Sequence, residues 1–381
     1  MRTTGRLWSI KALYFCFSLS LGAQTIPQLE STARERLAAK DANGALAAYE
    51  KLATLVPKSA AYQDQIGFLL AATNRSPQAI PHFQRATDLD PKFAPAWYHL
   101  GVALALTKQT ESAIGALQKA VALDPGQADY RQRLGLAWAT LGDSHQQRHR
   151  YKEARDAYRE ALKLNPANDL ARNSYGNALV RSGDPAAGLK EFRGILAHDP
   201  RNVEVQVNIG FAYIAAGDFK AAIKHLTDLI QNHPDNAGAH YDLGIAYKQT
   251  DDLSHARTEL ERAVALDPSL AEAHYSLALT YIDDSEKAIS QLREAVALRP
   301  EYNDAWYMLG TTLQQQGDAK GAIEALRKSV ALDGLNAAAW NNLGLLLRRN
   351  GDKEGSEVAF AKAAEIRKAE EREKENKLSK H

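Results

Sequence analysis

Between residues 94 and 127 the apolar positions form two helical stripes separated by a polar turn. In the first, Trp97, Leu100, Gly101 and Leu104 recur at spacings of three and four; in the second, Ala113, Leu117 and Ala120 do the same. Thr107–Glu111 is polar and stands between them. Asp124-Pro125 ends the second stripe, because proline has no N–H to donate and disfavours α geometry in the residue before it. The pattern predicts two antiparallel helices, each apolar on one side only. They cross most closely where the side chains are smallest, so Gly101 is expected to face Ala113, with Trp97, Leu100, Leu104 and Leu117 around the crossing. Ala120 is expected to let the next first helix lie close.

The same pattern runs along nearly the whole chain. Helix-ending prolines stand at 57, 91, 125, 166, 200, 234, 268 and 300, with Gly334 in the ninth place, at intervals of 34, 34, 41, 34, 34, 34, 32 and 34. They divide the chain into ten units: 26–59, 60–93, 94–127, 128–168, 169–202, 203–236, 237–270, 271–302, 303–336 and 337–370. Offset 8 of the unit carries Gly67, Gly101, Gly135, Gly176, Gly210, Gly244, Gly310 and Gly344, with Ala278 in the eighth. Offset 20 carries Ala in eight units, Gly188 in the fifth and Ser356 in the last. No alternating strand pattern interrupts the series.

Trp97, Leu100, Gly101, Leu104, Ala113, Leu117, Ala120 and Pro125, at offsets 4, 7, 8, 11, 20, 24, 27 and 32 of a 34-residue unit, resemble the tetratricopeptide repeat family. Gly210, Gly244, Trp306, Gly310 and Trp340 carry the same signature in later units. The resemblance implies an all-α solenoid, a right-handed superhelix of about ten helix-turn-helix repeats with the first helices on its concave side. The first unit lacks the aromatic and glycine signature, as a capping repeat does. Residues 371–381 read as a charged, fraying C-terminal tail.

Two units break the period. The fourth gains seven residues around Asp143–Arg150, nearly two helical turns; lengthening of one or both helices is expected there, with a basic knob at one edge. The eighth loses two residues at Ile282–Ser285, which predicts a tighter turn with Asp284 or Ser285 as the cap of its second helix.

Residues 1–23 change the picture of where the chain works. Arg2, Arg6 and Lys11 precede a short apolar core, Ala12–Leu21, with small residues beyond it: a secretory signal peptide, too short for an ordinary membrane span. The expected location is across the inner membrane, in the periplasm; an uncleaved, anchoring leader is the alternative. Cys16, the one cysteine, lies in this leader, so the remainder has neither a disulfide nor a cysteine metal site. The 47 basic and 46 acidic residues give a net charge of +1, or −2 without the three leader cations, which exerts no general pull on nucleic acid or anionic membrane.

No HExxH, phosphate-binding glycine loop or GxSxG is present, and the repeats occupy the space a catalytic domain would need. No catalytic residue, metal or cofactor is expected. His145 and His149 have the i, i+4 spacing of two metal ligands, but no third ligand is adjacent, so a solvated helix end is expected instead. The family's concave offsets carry Asn173, Asn177, Glu204, Asn208, Asp242, Lys248 and Gln249 in the middle units. Asparagine both donates to and accepts from a peptide backbone, so this row suits an extended partner; exposed polar side chains with no partner are the alternative. The Lys and Arg residues of the family's carboxylate clamp are missing beside Asn173, Asn177 and Asn208, which argues against a C-terminal carboxylate ligand. Trp97, Trp306, Trp340, His240 and His274 share offset 4 and are read as inter-helix core or its edge, not as a ligand box. The function expected is a non-enzymatic protein- or peptide-binding scaffold for assembly, export or organisation of envelope proteins, with self-association left open. An RNA-binding helical repeat or an enzyme-associated accessory subunit is the alternative.

Overall fold

The computed structural model describes residues 24–378; the signal-peptide reading of residues 1–23, with Cys16, and the end of the tail at residues 379–381 lie outside them. The described residues form twenty α-helices joined by turns, and the chain divides into two compact units, to Ser182 and from Gly183. The N-terminal unit holds α1 (Ile26–Ala38), α2 (Ala42–Leu55), α3 (Ala60–Ala72), α4 (Ser76–Leu89), α5 (Ala94–Leu106), α6 (Thr110–Leu123), α7 (Ala128–Gln147), α8 (Tyr151–Leu164) and α9 (Asp169–Arg181). The C-terminal unit holds α10 (Pro185–Leu196), α11 (Val203–Ala215), α12 (Phe219–Asn232), α13 (Ala237–Gln249), α14 (Leu253–Leu266), α15 (Ala271–Ala278), α16 (Ser285–Leu298), α17 (Asn303–Gln316), α18 (Ala319–Leu332), α19 (Ala337–Arg349) and α20 (Lys353–Leu378). α20 continues through the start of the charged tail as one helix.

Within the units the helices pack mostly as antiparallel pairs whose core comes from the offsets read above, with α9 packed on α8 and α10 on α11. Ala113, Leu117 and Ala120 are buried, as are Leu100 and Leu104. The crossing glycine meets more than an alanine: a Cβ on Gly101 would lie 2.5 Å from Leu117 Cγ and 3.1 Å from the Ala113 carbonyl oxygen. Gly67, Gly244 and Gly310 sit in the same way under Phe83, Leu260 and Leu326. Seven residues after the crossing residue, a glycine in all but the first of these repeats, the chain turns through a left-handed residue, at Lys40, Asn74, Lys108, His149, Gly183, Gly217, Asp251, Gly317 and Gly351. Asn or Ser caps many first helices, and Asp caps most second helices, Asp41, Asp184, Asp218, Asp252 and Asp318 among them.

A second row of side chains ties each pair to the turn before it. Trp97, Trp306 and Trp340 donate Nε1–H to the carbonyls of Pro91, Pro300 and Gly334 at 2.8–3.0 Å. Arg172, Gln206, His240 and His274 occupy the same offset and reach the carbonyls of Pro166, Pro200, Pro234 and Pro268 at 2.6–3.0 Å, as Arg131 reaches Pro125. These carbonyls follow a helix end and have no partner within their own helix. In the third to tenth units the offset therefore carries an N–H donor, whatever the side chain's type.

The insertion is absorbed by lengthening one helix, as expected, but without a knob, and the deletion is absorbed elsewhere than expected. The seven extra residues lengthen only α7; α8 keeps the 14 residues of the other second helices. Gly142, not Gly135, lies under the second helix of that pair, with a Cβ position 2.6 Å from the Tyr158 ring, whereas one on Gly135 would have its nearest neighbour at 3.5 Å. His149 then turns the chain at the usual seven residues past the crossing, so Arg148–Arg150 form an ordinary turn and no knob projects. In the eighth unit the turn is not tighter. The first helix shrinks to the eight residues of α15 and residues 279–284 form the connection. Two missing residues amount to about 200° of helix rotation, which would carry the apolar stripe off the core, so the helix stops at the crossing residue Ala278. Thr280 caps it by donating to the Leu277 carbonyl, and the buried Tyr281 fills the gap, its hydroxyl donating to Glu261 at 2.8 Å. Asp284 caps α16 as expected, accepting from the Lys287 amide.

Candidate functional site

Within each unit the first helices lie side by side, and the offsets that leave the core form one face. In the C-terminal unit this face holds five of the residues expected to meet a partner. Glu204 and Gln249 are exposed, Asn208 and Lys248 half-buried, and Asp242 buried. Burial pushes the Lys248 ammonium below the usual lysine range. In the N-terminal unit Asn173 is buried and Asn177 half-buried. Asn173 and Asp242 are thus positioned to support neighbouring side chains rather than to present their own.

A tyrosine row accompanies the polar one. Tyr241, Tyr275 and Tyr307 share offset 5, a recurrence legible in the sequence that polar-residue reasoning passes over. The Tyr275 ring lies 5.0 Å from Tyr302, and the Arg299 guanidinium lies 4.0 Å over Tyr302 while pairing with Glu272 at 2.9 Å. Burial first, then the Asp242 charge, pushes the Tyr241 phenol up to about 12. Burial likewise raises Tyr275 and Tyr302. These phenols stay neutral hydrogen-bonding groups at physiological pH.

The face of the N-terminal unit is different. Phe68, Val102 and Leu136 share offset 9, with Leu106 and Thr140 at offset 13. A cavity of about 210 Å³ opens between α5 and α7, bordered by Val102, Leu106, Leu136 and Arg133. Nearby, buried Asp64 is held by His99 Nδ1 at 2.8 Å. Of the histidines read as possible ligands, His145 is half-buried in α7 and His149 occupies the turn, its Nδ1 2.8 Å from the Tyr151 hydroxyl. Among the described residues no three His, Cys, Asp or Glu side chains converge as a metal site would require. His240 has both ring nitrogens against acceptors, Glu259 at 2.6 Å and the Pro234 carbonyl at 2.9 Å, so it serves the structure of its pair.

Models of tetratricopeptide repeats match residues 67–128, 213–280, 277–336 and 307–371. A model described as the cytochrome c-type biogenesis protein H TPR domain matches residues 135–231, and these matches together take in most of the chain. The chain belongs to the tetratricopeptide repeat family. No curated protein matches this repeat protein in sequence. Among solved structures it is similar to that of MamA, at 30% identity over 43% of this chain and 97% of that one, with a TM-score of 0.41. It is also similar to Naa15/Naa10 bound to HypK-THB, at 14% identity over 90% and 63% of the two chains (TM-score 0.48). A third is the human IFIT1 dimer with m7Gppp-AAAA, at 16% identity over 93% of each chain (TM-score 0.45). Among the described residues no helix is long and apolar enough to cross a membrane.

Proposed function

We propose that this tetratricopeptide repeat protein is a non-enzymatic scaffold that holds a partner protein on its first-helix faces. The observation that carries the reading is the contrast between two sets of offsets. The crossing positions repeat with little change, whereas offset 6 from the second unit on runs Gln65, His99, Arg133, Ser174, Asn208, Asp242, Ser276, Met308 and Asn342. A solenoid needs the first set to stack; the second varies as a surface does when each position meets a different part of a ligand. Glu204, Asn208, Lys248 and Gln249, with Asp242 behind them, are the residues assigned to contact in the C-terminal unit, and Asn177, with Asn173 behind it, in the N-terminal unit. The likeness of residues 135–231 to the cytochrome c biogenesis repeat domain, with the leader pattern of residues 1–23, supports work in the cell envelope, in assembly or export of other proteins.

The test is a pull-down of the tagged full chain from the envelope fraction of its own host. It is paired with an Asn177→Ala/Asn208→Ala variant of unchanged helicity, and N-terminal sequencing of the isolated chain tests the leader. A partner kept by the parent and lost by the variant supports the reading. Enrichment of no protein, or an enzymatic activity that survives repurification, overturns it.

A further inference from the structure

We infer that the first-helix face of the N-terminal unit docks an acidic amphipathic helix of another protein. This inference rests on the scaffold reading and names the chemistry of one partner.

The face is apolar where the middle of the chain is polar. Phe68 on α3, Leu106 on α5 and Leu136 on α7 are 46%, 68% and 45% exposed. Small side chains at offset 12, Ala71, Ala105 and Ala139, leave the floor between them shallow. A patch of large exposed apolar side chains on adjacent helices marks an interaction surface. The 210 Å³ cavity beside Leu106 has room for one large apolar side chain, since a cavity of about 150 Å³ already takes a benzene ring.

The spacing selects a helix. Packed helices lie about 8–10 Å apart, so apolar anchors offered by the neighbouring helices α3, α5 and α7 are expected at about that spacing. Residues i and i+7 of an α-helix stand about 10.5 Å apart on one side, so successive anchors fall into successive grooves. Same-side residues of a strand recur at about 6.6 Å and drop out of step at once. The charge selects an acidic ligand. Arg133 is exposed at the cavity and is the charged residue of its lining; Lys108 is exposed on the turn that follows Leu106. No carboxylate lines the cavity; Asp64 on the same face is buried against His99, and Asp129, exposed one turn before Arg133 on α7, lies outside the lining. A carboxylate one turn from the apolar anchor would meet the Arg133 guanidinium.

The experiment places a photo-crosslinking amino acid at Leu106 in the full chain, expressed in its own host, and sequences the captured segment. A synthetic peptide of that segment is then titrated against the unmodified full chain. The expected segment carries apolar residues seven apart with Asp or Glu between them. Its peptide should bind at least tenfold more weakly to Leu106→Glu and to Arg133→Glu. Replacing its acid by Lys should restore binding to Arg133→Glu. Both substituted positions are exposed, and unchanged helicity confirms each variant. Capture of residues 12–21 of this chain, of a second copy, or of a segment without the charge-swap rescue overturns the inference. If nothing is captured at residue 106 while the envelope pull-down still yields a partner, this inference fails and the scaffold reading stands. If neither yields a partner, both fail.

Discussion

Gly135→Ala and Gly142→Ala form a matched pair that tests how the fourth unit absorbs its insertion. A Cβ on Gly142 would sit 2.6 and 2.7 Å from two carbons of the Tyr158 ring, where carbon atoms prefer about 3.5–4.0 Å. The ring has no easy retreat: Tyr158 is 1% exposed and its hydroxyl donates to Asp143 at 2.7 Å. Overpacking of this kind costs about 1–3 kcal/mol, against which the better helix propensity of alanine returns about 0.5–1 kcal/mol. The net expectation is a loss of about 1–2 kcal/mol. On Gly135 the added Cβ would meet Leu164 Cβ at 3.5 Å and the Ala161 carbonyl at 3.6 Å, an ordinary contact, so only the propensity gain of about 0.5–1 kcal/mol remains. The two variants should differ by about 2 kcal/mol and in sign. Urea unfolding followed at 222 nm reads the difference, with hydrogen exchange across α7 and α8 to localise it, because repeat stacks open in local cooperative segments. If Gly135→Ala costs more than Gly142→Ala, the crossing lies at offset 8 as in the other units and the structural assignment is refuted.

Further expectations follow the same contacts. His240→Leu removes the ring between the Pro234 carbonyl and the Glu259 carboxylate, leaving the carbonyl only the 3.5 Å contact from Arg262, and should cost about 1–3 kcal/mol in urea melts, whereas Trp97→Phe, at a carbonyl water can reach, should cost under about 1 kcal/mol. Tyr281→Phe removes the hydroxyl that donates to Glu261 and should weaken the eighth unit by about 1 kcal/mol, read as faster exchange in α15 and α16. The capping carboxylates of Asp41, Asp252 and Asp284 are held below the usual aspartate value of 3.8, first of all by the amides of Gly44, His255 and Lys287. A lowered folded-state value means that this stabilisation is complete above the unfolded value and fades as pH falls through the folded one. Those three amides should therefore stay protected at pH 4 and lose protection only below it, and Asp284→Asn, which keeps an acceptor, should flatten the response at Lys287.

The period, the pairing of helices and the buried offsets were legible because stacking needs tiny residues where helices cross and a breaker where each pair ends. The insertion was not, because Gly135 and Gly142 are two turns apart and share a helix face; only the position of Tyr158 chooses between them. The offset-4 row was legible as a recurrence but not as a role, because Trp, Arg, Gln and His resemble each other in nothing but an N–H. Side-chain placement on the partner-facing offsets was the least legible part. Asn173 and Asp242 lie where the first-helix face turns into the core, so neighbouring side chains decide their burial, and no single-helix pattern records those neighbours. The apolar face at Phe68, Leu106 and Leu136 was readable as letters, yet only side-by-side first helices turn it into one surface.

The insertion also explains the α7 side of that face. In the register of its own hairpin, counted from Gly142, offsets 9 and 13 of the fourth unit are Asp143 and Gln147. The two extra turns of α7 instead set Leu136 and Thr140 beside Val102 and Leu106, where they border the cavity. One helix thus serves two registers, the α5 side with its first half and the α8 side with its second. Deleting residues 136–142 would join Gly135 to Asp143, twelve residues ahead of Ala154, and restore a 34-residue interval between Pro125 and Pro166. The shortened helix should still cross α8 through Gly135, with helicity per residue unchanged, while Asp143 replaces Leu136 opposite Val102. Crosslinking from residue 106 to an acidic segment should then fall at least tenfold, because a carboxylate now lines the site and repels the ligand's own. Undiminished crosslinking in a deletion variant that folds would show that the cavity, and its preference, do not depend on the extra turns of α7.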